Sequence, residues 1–302
     1  MRLLHRKIRV RTVDWLCASR AFLDWNRRRP LVGESAKKPR VTVTRLRNMK
    51  QSGEKIAMLT GYDASFARIL DRNGVDVILI GDSLGMVIQG RETTIPVTMD
   101  EMVYHTRAVA AGVMERALTL ADLPFMSYTS PEMALRNCAR LMQEGNAQMV
   151  KLEGGAPQVE TVRQLTHHGV PVCAHLGLQP QSVHKLGGYK VQGRDEAAAR
   201  RMLDDCLMLQ DAGADMLLLE CVPVALAERI TGSVEIPVIG IGAGRGCDGQ
   251  VLVLHDMLGI SPRAPSFSMD FLQDTGTIPK AVQAYVEAVK NQSFPTDAHC
   301  FV

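Results

Sequence analysis

The sequence predicts a closed (β/α)8 barrel. Three observations predict it. Eight short apolar runs recur between residues 56 and 258, each ending in a polar residue or glycine. Amphipathic segments with recognisable helix starts lie between them. The composition, 46% hydrophobic but only 5% aromatic, suits an α/β protein better than an all-β sandwich.

The elements follow in order. "VTVTRLRNMKQSGEK" (41–55) reads as a helix ahead of the first strand, placed to close the barrel bottom. "IAMLTGYD" (56–63) is the first strand. In "VDVILIGDSLGM" (75–86) four apolar residues, Val77 to Ile80, run directly into Gly81, Asp82 and Ser83. "TMDEMVYHTRAVAAGV" opens with Thr98 and has Glu101 three residues on, a capping box. "LTLADLP" (118–124) is the third strand. "SPEMALRNCARLMQEG" starts with Ser130 as N-cap and Pro131 at the first helical position. The strands "MVKLEGG" (149–155) and "VPVCAHLG" (170–177) follow, and "RDEAAARRMLDDCLMLQDAG" places Ala198, Met202, Cys206 and Leu209 on one stripe. "DMLLLECV" (215–222), "PVIGIGAG" (237–244) and "VLVLHDML" (251–258) complete the set. Gly74, Gly145, Gly169, Gly213 and Gly232 mark helix exits, where a left-handed residue is wanted.

Near-continuous apolar runs mark strands buried on both faces of a parallel sheet. Alternation with helices implies right-handed crossovers. An open doubly wound sheet competes, but eight units over about 230 residues match a barrel, typically ~250 residues long. No linker divides residues 41–292, which are read as one catalytic domain, followed by a tail (293–302).

Net charge is +3 and unevenly spread: residues 1–40 carry +9, leaving the remainder about −6. This basic arm is read as an unstructured extension. The alternatives are an organellar transit peptide, which its two serines and its acids disfavour, and an arm for RNA or another anionic surface. No run of 18 apolar residues is present, which argues against a membrane span. Seven scattered cysteines with no C-x-x-C spacing suggest reduced, buried thiols and a cytoplasmic location.

In a barrel the strand C-termini open on one face, and residues there converge on the active site. The polar residues at the strand ends are Asp82 and Ser83, Asp122, Lys151 and Glu153, His175, Glu220, and His255 with Asp256. Converging carboxylates repel unless a divalent cation neutralises them. Oxygen donors without a Cys/His cluster favour Mg²⁺ over Zn²⁺. Asp82 and Asp122 are the candidate ligands, with Glu153 near enough to hold a metal-bound water. Glu220, after Met216 to Leu219, is the candidate base, because desolvation would raise its pKa. Lys151 would bind an anionic group and His175 would donate to a substrate oxygen. Each has a duller alternative: the aspartates as helix caps, Glu153 paired with Lys151, and His175 as a satisfied core histidine. His255 and Asp256 are read as structural. "GIGAGRGCDG" (240–249) resembles a phosphate loop but is read as close backbone packing beside a ligand.

Taken together, "TGYDASFA", "IGDSLGM", "TIPVT", "YHTRAV", "ADLPFMSY", "MVKLEGG", "AHLGLQPQSV", "GGYKVQGR", "LLLECVP" and "IPVIGIGAG" closely resemble the ketopantoate (3-methyl-2-oxobutanoate) hydroxymethyltransferase family over residues 41–291. The resemblance implies a barrel of the phosphoenolpyruvate/pyruvate type, one Mg²⁺ per subunit and a homodecamer. It implies hydroxymethyl transfer from 5,10-methylenetetrahydrofolate to 3-methyl-2-oxobutanoate through a Mg-stabilised enolate, giving 2-dehydropantoate for pantothenate synthesis. Asp82 and Asp122 match the family's metal ligands, with Glu153 nearby. Asp82, Ser83, Asp122, Lys151 and His175 match substrate-binding positions, and Glu220 the proposed base. The extension, Arg245-Gly246-Cys247 and "SPRAPSFSMDF" (261–271) depart from the family pattern. A Mg²⁺-dependent C–C lyase acting on a 2-oxo acid is the rival enzyme. An RNA-binding protein is the rival of another class, disfavoured by the acidic body.

Overall fold

The computed structural model describes residues 39–302. Eight parallel strands close into a barrel in sequence order. They are β1 (Ile56–Thr60), β2 (Val77–Ile80), β3 (Leu118–Asp122), β4 (Met149–Glu153), β5 (Val172–Gly177), β6 (Met216–Glu220), β7 (Val238–Ile241) and β8 (Gly249–Leu252). β1 pairs with both β2 and β8, which closes the ring. The long helices are α1 (Val43–Ser52), α2 (Ala64–Arg72), α3 (Met99–Gly112), α4 (Pro131–Gln143), α5 (Val159–His167), α6 (Glu196–Asp211), α7 (Val224–Ser233) and α8 (Ile278–Lys290). The predicted basic arm lies outside the described residues, apart from Pro39 and Arg40.

Strand side chains alternate, so each strand feeds two cores. Val77, Leu79, Leu118, Leu120, Met149, Cys173, Met216, Leu218, Ile239 and Val251 fill the barrel interior. Ile78, Ile80, Val150, Leu152, Ala174, Leu217 and Leu219 face the helices. Leu46 and Met49 of α1 are buried with the interior set, so this helix plugs the end where the strands begin. The same alternation decides what lies at the other end. Two residues beyond Leu120, Met149, Lys151, Cys173 and Leu218, the inward positions are Asp122, Lys151, Glu153, His175 and Glu220.

Local signals mostly act as expected. Thr98 and Glu101 form the capping box of α3, and Ser130 caps α4 with Pro131 behind it. Others need correction. The eighth strand covers 249–252, and His255 and Asp256 lie on a short helix after it. Val253 leaves the strand because the Leu254 N–H turns to bond Thr60 Oγ1 at 2.9 Å. The buried stripe of α6 contains Ala199 where Ala198 was expected. Gly145 is not left-handed, and Asn146 is (φ 61°). Glycine is needed at 145 because a Cβ would come within 2.5 Å of Leu141 O. Gly232 lies inside α7.

The six described cysteines are free, five of them buried. Burial pushes the thiols of Cys173 and Cys247 up to about 12. No described helix is long and apolar enough to cross a membrane. Residues 294–301 pack back on the barrel: Phe294 is buried, and Val224 N–H donates to Phe301 O at 3.0 Å.

Candidate active site

The strand C-termini surround a cavity of about 1030 Å³. Its lining contains Asp82, Ser83, Asp122, Lys151, Glu153, His175 and Glu220, so the fold gathers every candidate from residues 82 to 220 in one place. His255 and Asp256, expected to be structural, also line it.

Asp82 and Asp122 are adjacent: the Asp82 N–H donates to Asp122 Oδ2 at 3.0 Å. Gly81 leaves room for the Ser83 hydroxyl, since a Cβ there would lie 2.8 Å from Ser83 Oγ. Neither aspartate caps a helix. Ser83 is the N-cap of the short helix Leu84–Val87, but its hydroxyl makes no cap bond. That hydroxyl instead lies 2.9 Å from Tyr62 OH.

Lys151 Nζ stands 3.1 Å from Asp122 Oδ1 and 3.4 Å from His175 Nδ1. Its ion-pair partner is therefore Asp122, not Glu153. An ammonium only donates, so His175 Nδ1 is the acceptor and Nε2 carries the hydrogen. Nε2 has no hydrogen-bond partner and faces Glu220 Oε2 at 3.5 Å. Burial and the Lys151 charge hold the imidazole pKa well below its ordinary value, so the ring is neutral at physiological pH. Its contacts with Glu153 (3.6 Å) and Glu220 are thus not ion pairs.

The carboxyl groups are strained electrostatically. Burial, reinforced by repulsion from Asp122, pushes Asp82 up to about 7. Burial raises Asp122 and Glu153 as well, against the pull of Lys151. Burial pushes Glu220 up to about 8, with Lys151 opposing and Asp82 and Asp122 adding to the rise. Burial also opposes the Lys151 charge, but Asp122, Glu153 and Asp82 together outweigh it and hold the ammonium above its ordinary range. Four acids around one lysine leave more carboxyl groups than cations at this floor.

This floor fits a hard divalent cation. Its donors are carboxylate oxygens: Glu153 Oε1 is buried without accepting a hydrogen bond, and Asp122 Oδ1 meets only the Lys151 ammonium. Among the described residues no group of three or more His, Cys, Asp or Glu forms a ready-made metal cage. Mg²⁺ does not ask for one: it uses one or two carboxylates and completes its shell with water or substrate oxygens.

Over residues 40–297 the chain matches the family model described as ketopantoate hydroxymethyltransferase. The chain belongs to the ketopantoate hydroxymethyltransferase family. It is an enzyme, a hydroxymethyltransferase by its relatives' names. The 3-methyl-2-oxobutanoate hydroxymethyltransferase of Nitrosococcus oceani is 62% identical over 257 residues, 85% of this chain and 97% of that protein. The Proteus mirabilis enzyme of the same name is 54% identical over 86% of this chain and 98% of its own length. Among solved structures, 2,3-dimethylmalate lyase, a PEP mutase/isocitrate lyase superfamily member, superposes with TM-score 0.53 at 17% identity. It covers 83% of this chain and 97% of its own. A phosphonopyruvate hydrolase gives TM-score 0.55 at 12% identity, over 74% of this chain and 84% of its own. These two share the barrel fold.

Several contributors to this ketopantoate hydroxymethyltransferase site carry no sequence signal. Tyr62 holds the Ser83 hydroxyl, Gln181 holds Asp82 and is itself held by Tyr128, and Tyr189, Phe267 and Phe301 line the cavity. Tyr62 and Gln181 fall within the motifs "TGYD" and "LQPQS", but nothing in their spacing ties them to Ser83 or Asp82. The glycine-rich loop is filled by side chains: a Cβ on Gly240 would meet Cys247 Sγ at 2.9 Å, and one on Gly242 would meet Phe267 and Phe301 at 3.0 Å. It is packing, as expected, and not a phosphate cradle. Arg245 pairs with Asp297, while residues 261–263 and 265–267 of the variant segment line the cavity.

Proposed function

We propose that this enzyme transfers a hydroxymethyl group from 5,10-methylenetetrahydrofolate to 3-methyl-2-oxobutanoate, giving 2-dehydropantoate for pantothenate and coenzyme A synthesis. The observation that carries the proposal is the adjacency of Asp82 and Asp122 in one cavity with Glu220 on another strand. A Mg²⁺ ion held by Asp82 and Asp122, with Glu153 close by, would supply Lewis-acid polarisation of the substrate ketone.

The other steps belong to the chain. Lys151 and the Ser83 hydroxyl bind the anionic end of the oxo acid. The free Nε2–H of His175 donates to a substrate oxygen. Glu220 takes the proton from C3, the carbon beside the ketone, and its raised pKa suits a base working near neutral pH. The donor opens one C–N bond to give an iminium, and the enolate carbon attacks its CH2 so that C3 becomes quaternary. Water then replaces the remaining nitrogen, supplying the hydroxyl as tetrahydrofolate leaves with its nitrogens protonated. A cavity of about 1030 Å³ exceeds what a five-carbon acid fills and leaves room for a second, larger molecule. The family likeness further supports a cytoplasmic homodecamer.

The test is incubation of the protein with Mg²⁺, 3-methyl-2-oxobutanoate and methylenetetrahydrofolate, followed by mass spectrometry. The expected product is 2-dehydropantoate, absent when either Mg²⁺ or the folate is withheld. Failure to form it, with cleavage of other 2-oxo acids, would favour the lyase reading.

A further inference from the structure

Gln181 lies on the 3-10 turn Pro180–Ser182 after β5 and is 3% exposed. Its side-chain Nε2 donates to Asp82 Oδ2 at 2.8 Å and to Leu123 O at 2.9 Å. Its backbone N–H donates to Glu153 Oε2 at 3.1 Å. Its Oε1 accepts from Tyr128 OH. Tyr128 OH itself accepts the Glu153 N–H at 3.4 Å, so its single proton is left for Gln181. That fixes the amide: Oε1 must face Tyr128, and the two Nε2 hydrogens face Asp82 and Leu123.

One residue therefore occupies one oxygen of the carboxylate beyond β2 and one oxygen of the carboxylate on β4. The second oxygen of Glu153, Oε1, is left buried without a hydrogen bond. Neither Gln181 nor Tyr128 lines the cavity, so both act through the carboxylates and do not touch substrate. The contacts join the ends of β2, β3, β4 and β5 around one residue: the side-chain amide reaches Asp82 and Leu123, and the backbone N–H reaches Glu153.

We infer that Gln181, with its orientation locked by Tyr128, is the positioning residue that selects which oxygens of Asp82 and Glu153 face the cavity and so sets the affinity for a divalent cation. The inference rests on the cation reading proposed above. A purely structural pin would behave differently: its loss would lower the melting temperature and leave the affinity of the folded protein unchanged.

The test uses the full chain and Mn²⁺ alone, without substrate, with free Mn²⁺ followed by electron paramagnetic resonance. Gln181→Met keeps the side-chain length and removes both polar ends. It is expected to bind Mn²⁺ roughly 10–100-fold more weakly than wild type, the usual effect of losing a partner of a metal ligand. Tyr128→Phe, which frees the amide to turn over, is expected to fall between the two. Wild-type Mn²⁺ affinity in folded Gln181→Met overturns the inference, whatever its melting temperature. Should Gln181→Met fail to fold, Tyr128→Phe decides: weakened binding supports the assignment and unchanged binding overturns it. A wild-type chain that binds no Mn²⁺ would instead remove the cation reading itself, and the inference with it.

Discussion

Glu220→Gln is expected to slow exchange of the C3 proton of 3-methyl-2-oxobutanoate with solvent by about 10²–10⁴-fold, the range that a positioned general base contributes. Proton NMR in deuterated buffer with Mg²⁺ and no folate isolates this step from carbon transfer. The amide is nearly isosteric with the carboxylate, so binding of the oxo acid should change little. Glu220 lies 3.5 Å from His175 Nε2, and its backbone O accepts from Leu178 N–H at 2.8 Å. Gly177 makes room for that strand end, since a Cβ there would stand 2.2 Å from Glu220 O. The position of the base is thus set by β5 and β6 and does not depend on its charge. In wild type the exchange rate should rise with pH as Glu220 loses its proton. Without a cation the carboxyl is pushed up to about 8. A bound cation offsets Asp82 and Asp122, which add to the rise, so the midpoint with Mg²⁺ should lie below that. Exchange in Glu220→Gln at the wild-type rate would take the role from Glu220.

Lys151→Met should produce the largest change in stability, and the change should depend on pH. Lys151 is the cation facing Asp122 at 3.1 Å, and it lowers the pKa of Asp82, Asp122, Glu153 and Glu220 alike. Acids whose folded pKa is raised hold protons that the unfolded chain has released. Their contribution is complete in acid, below the ordinary carboxylate range, and is lost as pH climbs to about 7 for Asp82 and about 8 for Glu220. Without Lys151 these folded values rise further, so the loss extends to higher pH. Removing one partner of a buried ion pair costs about 3–5 kcal/mol when the other stays charged. In urea unfolding with EDTA, Lys151→Met is expected to lose about that much at pH 8 and clearly less at pH 5.5. Mg²⁺ should restore part of the loss at pH 8. An equal loss at both pH values would mean that Lys151 acts through packing alone.

The barrel was readable because two periodicities are strong. Apolar runs such as Met149 to Leu152 and Met216 to Leu219 are too continuous for half-exposed strands, and eight of them alternate with capped helices. Position at the strand C-termini led to the site, because polar residues there converge on one face of a barrel. Asp82, Asp122, Glu153, His175 and Glu220 were found this way. Lys151 was found too, as a binder of an anionic group; the alternative of a pair with Glu153 gives way to a pair with Asp122, because strand-end position does not say which neighbour a long side chain reaches.

What escaped had no periodic signal. Gln181 bonds Asp82 across 99 positions of sequence, and only the barrel brings them together. Phe267 and Phe301 reach the cavity from irregular segments whose paths no pattern specifies. The eighth strand was displaced because Leu252 and Leu254 read as one apolar run, while the Thr60 hydroxyl turns the backbone between them.

Asp82 and Asp122, 40 residues apart, are expected to share one cation at the barrel rim. Mn²⁺ binding to wild type, Asp82→Asn and Asp122→Asn, followed by electron paramagnetic resonance at neutral pH, tests it most directly. One site per chain is expected in wild type, displaced by Mg²⁺, and lost in each single variant while both remain folded. A site of undiminished affinity in either variant would contradict it.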